Sequence, residues 1–195
     1  LYGNLDYSVI DEMPKGRMEI ETIALSESRR SEIFEKITKQ CHEGNQVFWV
    51  CPIIDESEVL ECKAATNTYD EIRKKLKEIN VSLIHGRMKM QEKEKIMNDF
   101  RSKKIDLLVS TTIIEVGLDV PNATVIVIEN SERMGLSQLH QLRGRVGRGS
   151  KKSTCILIYK SGLNEISTNI IDILRKNKNG FDIAIEDVDI RGPGE

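Results

Sequence analysis

A chain of 195 residues with 39% hydrophobic and 31% charged side chains is long enough for one domain with a sizeable core and a short appendage. No apolar run approaches the roughly 20 residues of a membrane-spanning helix, and the opening LYGNLDYSVIDEMPKGR lacks the basic-then-apolar plan of a signal peptide; the expected compartment is the cytoplasm, with no membrane partner. A net charge of -2 requires any nucleic-acid contact to come from local patches and backbone donors.

Residues 1–19 carry MPKGR and no clear period, and read as a linker leading into the first strand. IETIAL (20–25) follows as a strand, then the helical SESRRSEIFEKITKQCHEG, with Ser26 or Ser28 as its cap and Gly44 as its stop. QVFWVCPI (46–53) is the next strand, and Asp55 and Glu56 behind it read as loop carboxylates rather than metal ligands. NTYDEIRKKLKEIN predicts a helix, VSLI (81–84) a strand, KMQEKEKIMNDFRSKK a helix and IDLLVS (105–110) a strand. ATVIVIEN (123–130) and STCILIY (153–159) complete the strands. After Tyr159 a helix, LNEISTNIIDILRKNKN, stops at Gly180, and FDIAIEDVDIRGPGE closes on a Gly-Pro-Gly turn, a finish that suggests the natural protein continues. Near-continuous apolar strands alternating with charged helices predict an α/β fold, a parallel sheet covered on both faces.

The four cysteines form no CxxC pair and read as buried reduced thiols, and the three histidines form no ligand cluster. His85 in LIHGRMK reads as structural, while Arg87 and Lys89 are placed to touch a DNA backbone.

Ligands of a parallel sheet bind beyond the carboxyl ends of its strands. TTIIEVGLDV (111–120) occupies such an end: Thr111 and Thr112 offer hydroxyls and N–H groups suited to backbone phosphates, Gly117 relieves the turn, and Asp119 can accept from a ribose hydroxyl. A Thr-rich loop with an Asp capping a turn is the plain alternative. In QLHQLRGRVGRG (138–149), helical spacing puts Leu139, Leu142 and Val146 on one side and Gln141, Arg145 and Arg148 near the other, with Arg143 at the edge of the apolar stripe. That cationic face is a solvated surface, a nucleic-acid contact or an arginine finger; the Gln/Arg/Arg stripe beside glycines favours phosphate. The chain has no GxxxxGK[ST] cradle and no GxGxxG after a strand, so a second domain is expected to hold the nucleotide. A noncatalytic module that binds nucleic acid or a protein is the rival reading.

STTIIEVGLDVPNATVIVIEN resembles helicase motif V, and QLHQLRGRVGRG resembles motif VI of the superfamily 2 helicases. SERMGLSQLHQLRGRVGRG narrows the resemblance to the bacterial group of RecG and the transcription-repair coupling factor; EVGLDVPNA with ENSERMGLSQLH is more similar to the RecG family, as are VFWVCPIIDESEVLECKAA and NGFDIAIEDVDIRGPGE. The resemblance covers nearly the whole chain. It implies a RecA-like domain of the P-loop-NTPase type: a linker over 1–19 from a first motor domain, a helicase C-terminal domain over 20–160, and a helix plus the start of a translocation hook over 161–195. It further implies that Gln141, Arg145 and Arg148 sense ATP, that Gly117 and Asp119 lie by the nucleotide, and that Thr111 holds the translocated strand. Arg191 would open the hook. Ile185 departs from the pattern, standing where many relatives carry a polar or acidic residue. ATP and Mg2+ would be bound mainly by the first motor domain, leaving this chain inactive alone. The implied partners are branched DNA such as forks and Holliday junctions, the first RecA-like and wedge domains, and a single-stranded DNA-binding protein.

Overall fold

The computed structural model describes residues 20–52, 57–111, 120–146, 151–160 and 181–185. Its strands are β1 (Ile20–Ser26), β2 (Gln46–Cys51), β3 (Val81–Ile84), β4 (Leu107–Thr111), β5 (Ala123–Ile128), β6 (Ser153–Tyr159) and β7 (Phe181–Ile185). The helices are α1 (Arg30–His42), α2 (Glu58–Lys75), α3 (Met90–Arg101) and α4 (Leu136–Arg143). The strands form one sheet in the order β3-β4-β2-β5-β6-β1-β7, each neighbouring pair parallel.

Burial on both faces explains the unbroken apolar runs. All six residues of β2 and all six of β5 are buried. Successive side chains of a strand point to opposite faces. Thus Val47 and Trp49 join Ile33, Phe34 and Ile37 of α1 and Ala65 and Ile72 of α2 in one core. Phe48 and Val50 join Met97 and Phe100 of α3 and Leu139 of α4 in the other. Trp49 stacks on Phe34 with ring centres 5.8 Å apart, and Phe48 meets Phe100 edge-on at 5.8 Å. The Gln46 side-chain amide donates to the carbonyls of Phe100 and Ile105 at 2.6 and 2.7 Å, tying the end of α3 to the foot of β2.

The helix ends follow local chemistry. The Ser26 hydroxyl accepts from the Ser28 N–H at 3.3 Å, capping a 3₁₀ turn (Glu27–Arg29) that runs into α1. Gly44 follows α1 with φ of +89°, a conformation that glycine adopts without the Cβ penalty.

Three sequence expectations are corrected. First, α2 begins at Glu58, well before Asn67, because the Ser57 hydroxyl accepts from the Leu60 N–H at 3.4 Å; the polar Thr66 stays helical by donating its hydroxyl to the Cys62 carbonyl at 2.6 Å. Second, FDIAI, not among the strands expected from the sequence, is β7, paired with β1 from Ile20↔Phe181 to Ala24↔Ile185. Ile185, the departure noted above, therefore stands in register with a fully buried alanine. Third, the helix over 138–149 is interrupted: α4 ends at Arg143, with Gly144 as its C-cap. The Arg145 N–H reaches back to the Leu142 carbonyl at 3.0 Å in a tight turn. The apolar side survives, since Leu139 and Val146 are buried and Leu142 packs against them. The expected linker over 1–19, the acidic Asp55 and Glu56, the helix LNEISTNIIDILRKNKN and the chain's last ten residues lie outside the described residues.

Candidate functional site

Thr111 is the last residue of β4, at the carboxyl edge of the sheet. There a cavity of about 160 Å³ opens between β4 and α4. Ser110 and Thr111 form its wall, Gln138 and Gln141 of α4 and Arg145 of the following turn reach over it, and Phe48, Val50, Ile126 and Met134 make an apolar floor. Ser110 and Thr111 are 1% and 2% exposed, and their hydroxyls have no hydrogen-bond partner among the described residues. Leaving a buried hydroxyl unpaired costs about 1–3 kcal/mol, so the wall is suited to a ligand that brings hydrogen-bonding atoms with it. Gln141 and Arg145 are exposed at the mouth of the cavity. One guanidinium, two hydroxyls and two amides make a donor set for phosphate oxygens. Among the described residues no carboxylate lines the cavity, and the groups that do line it suit a phosphate.

The turn between β5 and α4 aims these groups. Asn130 takes a left-handed conformation with φ of +50°. The Ser131 hydroxyl donates to the Ile158 carbonyl at 2.9 Å, and the Lys160 N–H donates to the Glu132 carboxylate at 2.9 Å. Burial pushes the Glu132 carboxyl above its ordinary pKa, against the opposing pull of that Lys160 N–H. The Gly135 N–H donates to the Gln138 side-chain oxygen at 3.3 Å, fixing the first turn of α4. These bonds run from β5 and β6 into the helix that carries Gln141.

Arg143 points the other way. It is 2% exposed, donates to the Thr22 hydroxyl at 3.3 Å and lies 2.8 Å from His140 Nδ1. Burial pushes its pKa down to about 10, so it remains cationic at neutral pH. Burial first, then the Arg143 charge, pushes His140 down to about 3; the neutral imidazole accepts the guanidinium proton at Nδ1.

Behind the sheet's other face, Glu129 follows β5 and gathers three elements. Its carboxylate accepts from Trp49 Nε1 and from the Thr68 hydroxyl, each at 3.0 Å, and pairs with Arg30, which also binds Glu71 at 2.8 Å. Burial alone would raise the Glu129 pKa, but the Arg30 hydrogen bond and charge outweigh it and hold the carboxyl below its ordinary value. The Arg30 guanidinium lies 5.3 Å from the Trp49 ring centre.

The structure thus brings Thr111, Gln141 and Arg145 to one cavity. Arg87 does not line it: it stands in the exposed turn after β3, where its N–H donates to His85 Nδ1 at 3.2 Å, a nitrogen also 3.4 Å from Cys62 Sγ. Thr112, Gly117, Asp119, Arg148 and Arg191 lie outside the described residues. Ser110 and Gln138 were not singled out from the sequence. Gln138 sits three residues before Gln141, a spacing that puts both on one helix face. The cysteines are free, but only Cys51 and Cys155 are buried; burial pushes the Cys155 thiol up to about 12.

Comparison with known proteins places this geometry. Residues 29–150 match the helicase conserved C-terminal domain. The chain belongs to that family. This helicase C-terminal chain is 53% identical over its full length to the ATP-dependent DNA helicase RecG of Pasteurella multocida and 51% identical to that of Escherichia coli K12. It spans 28% of the length of either relative. Among solved structures it is similar to RecG bound to a three-way DNA junction, with TM-score 0.72, 40% identity, and 87% of this chain and 22% of that one covered. The C-terminal domain of the DEAD-box protein Dbp5, at 19% identity and TM-score 0.57 over 90% of this chain and 94% of that one, shows the same RecA-like fold. Among the described residues, no helix of this helicase domain is long and apolar enough to cross a membrane.

Proposed function

We propose that this chain is the second RecA-like motor domain of an ATP-dependent helicase that moves on branched DNA, in fork regression and Holliday junction processing during repair and recombination. The observation that carries the reading is the convergence of Thr111, Gln141 and Arg145 on one cavity whose buried hydroxyls await a ligand. The names of the relatives and the junction-bound RecG structure support the substrate class. A linker over 1–19, the helicase domain over 20–160 and the start of a coupling hook over 161–195, opened by Arg191, complete the proposed organisation.

ATP, held with Mg2+ mainly by a first motor domain, supplies the phosphoryl group that is transferred to water. Gln141, Arg145 and Arg148 meet its phosphates from across the interdomain cleft, and Gly117 and Asp119 border the ribose. Arg145 and Arg148 offset the negative charge that develops during transfer; arginines in this role contribute on the order of 10³ to 10⁵ in rate. Thr111, Thr112 and Arg87 grip the DNA backbone, so closure of the two domains on ATP moves one grip relative to the other. Alongside the first motor and wedge domains of the same protein, a single-stranded DNA-binding protein is a proposed partner, and the bacterial cytoplasm is the proposed compartment.

Fork-stimulated ATPase of the full-length protein tests the reading, with Arg145→Ala and Arg148→Ala compared for fork binding. Hydrolysis collapses while binding persists if these residues act as fingers; near-normal hydrolysis would overturn the assignment. A noncatalytic binding module predicts no ATPase at all. The related coupling-factor motor predicts a polymerase-binding domain upstream in place of an OB-fold wedge.

A further inference from the structure

The opposite end of the sheet carries a second cavity, of about 480 Å³, enclosed by the end of α2 and the segments that lead into β3 and β4. Arg73, Lys77 and Lys104 line it, and all three are exposed. None of them has a carboxylate partner among the described residues. Two acids stand close by: Glu78 lies 3.1 Å from His42, and the Asp106 carboxylate accepts the N–H of Asn80, a lining residue, at 2.8 Å. Between the cations the lining is mostly polar, with Asn80 and Ser82 beside them, while Leu76, Ile79 and Ile105 are nearly buried. In a chain of net charge -2, three exposed cations that form no ion pair among the described residues make a local anion site that the overall charge conceals.

We propose that this cavity docks an acidic, extended segment of a partner protein, with carboxylates on Arg73, Lys77 and Lys104. Cation clusters recognise acidic motifs through charge-assisted hydrogen bonds. β3 adds a second feature for an extended chain: among the described residues it pairs with β4 alone, leaving the backbone groups of its outer edge open to another strand. Nucleic acid fits less well. Single-strand binders line the cations along a groove and offer aromatic faces for bases, whereas here the cations ring one hollow and the Arg73 guanidinium already lies 5.3 Å from the centre of the Tyr69 ring. The site stands apart from the ATP and DNA cleft, so a partner held here leaves that cleft open.

The test uses the full-length protein and fluorescence anisotropy with three labelled probes: a decapeptide of aspartates, its lysine counterpart, and an oligo-dT strand. The acidic peptide binds in a salt-sensitive way and the lysine peptide does not. R73E/K77E/K104E weakens the acidic peptide at least about tenfold, a change of about 1.4 kcal/mol, with fork-stimulated ATPase unchanged. The charge-neutral R73Q/K77Q/K104Q shows a loss in the same direction and decides the matter if the reversed variant fails to fold. No binding of the acidic peptide, or equal binding by wild type and both variants, would overturn the proposal. So would a variant that loses oligo-dT while keeping the peptide, since that surface would then belong to nucleic acid.

Discussion

The guanidinium of Arg143 lies 2.8 Å from Nδ1 of His140, one helical turn earlier, and the pair is sealed beneath Thr22 of β1. Two residues later, Arg145 is exposed at the ligand cavity. Neighbouring arginines of one short motif therefore stand in separate settings, one anchoring the helix and the other exposed at the cavity. Arg143→Ala should destabilise the protein by about 1–3 kcal/mol, since it leaves buried polar partners without their donor. Arg145→Ala should change stability by less than about 0.5 kcal/mol, as exposed substitutions do. Urea unfolding distinguishes the two, and an unaffected Arg143→Ala would show that the buried contact is dispensable.

The same pair makes stability depend on pH. His140 has a folded pKa of about 3 and an ordinary unfolded value of roughly 6.5. Between these values the unfolded chain binds a proton that the folded chain refuses, so stability is full above roughly pH 6.5 and falls as the pH drops toward 3. His140→Asn, whose side-chain oxygen can still accept from Arg143 and which does not titrate, should flatten this limb. Melting temperatures measured from pH 7 to pH 4 that fall equally in both proteins would exclude His140 as the source.

Glu129 shows what periodicity conceals. Strand runs such as ATVIVIEN and the alternation of sheet and helix were legible because burial on both faces leaves an unmistakable apolar signature. Strand-end logic singles out Thr111, and helical spacing the Gln141/Arg145 face, but no local pattern says that they share one cavity. Likewise, the carboxylate of Glu129 meets residues from α1, α2 and β2, and no local pattern announces a contact spanning ninety-nine positions to Arg30. β7 was hidden for a related reason: five residues beside a glycine carry little periodicity, and only pairing with β1 makes them a strand. The end of α4 was obscured because Gly144 and the turn behind it keep Val146 on the apolar side, as a continuing helix would.

Removing the Glu129 carboxylate leaves Glu71 as the carboxylate partner of Arg30 and takes the acceptor from Trp49 Nε1 and the Thr68 hydroxyl. Glu129→Ala should cost about 1–3 kcal/mol, the range for leaving buried polar groups unpaired. Because its folded pKa is depressed, Glu129 contributes stability above the ordinary carboxylate range and loses it as the pH falls through the lower folded value. Glu129→Gln should therefore be less stable than wild type at pH 7 and approach it in acid. Denaturation curves at pH 7 and pH 3 that keep a constant gap would contradict the linkage.

Thr111 allows stability and function to be pulled apart. Its hydroxyl is buried without a partner among the described residues, so the isosteric Thr111→Val removes an unsatisfied polar group from a strand that favours β-branched side chains. The unliganded protein should gain up to about 1 kcal/mol in stability. In the full-length protein the same change removes the backbone-phosphate contact proposed for Thr111, so fork unwinding should fall while DNA-independent ATP hydrolysis is retained. Thr111→Ser, which restores the hydroxyl, should recover most of the unwinding and forfeit the gain in stability. A Thr111→Val protein that is less stable than wild type and unwinds forks normally would mean that the hydroxyl serves the fold rather than the DNA.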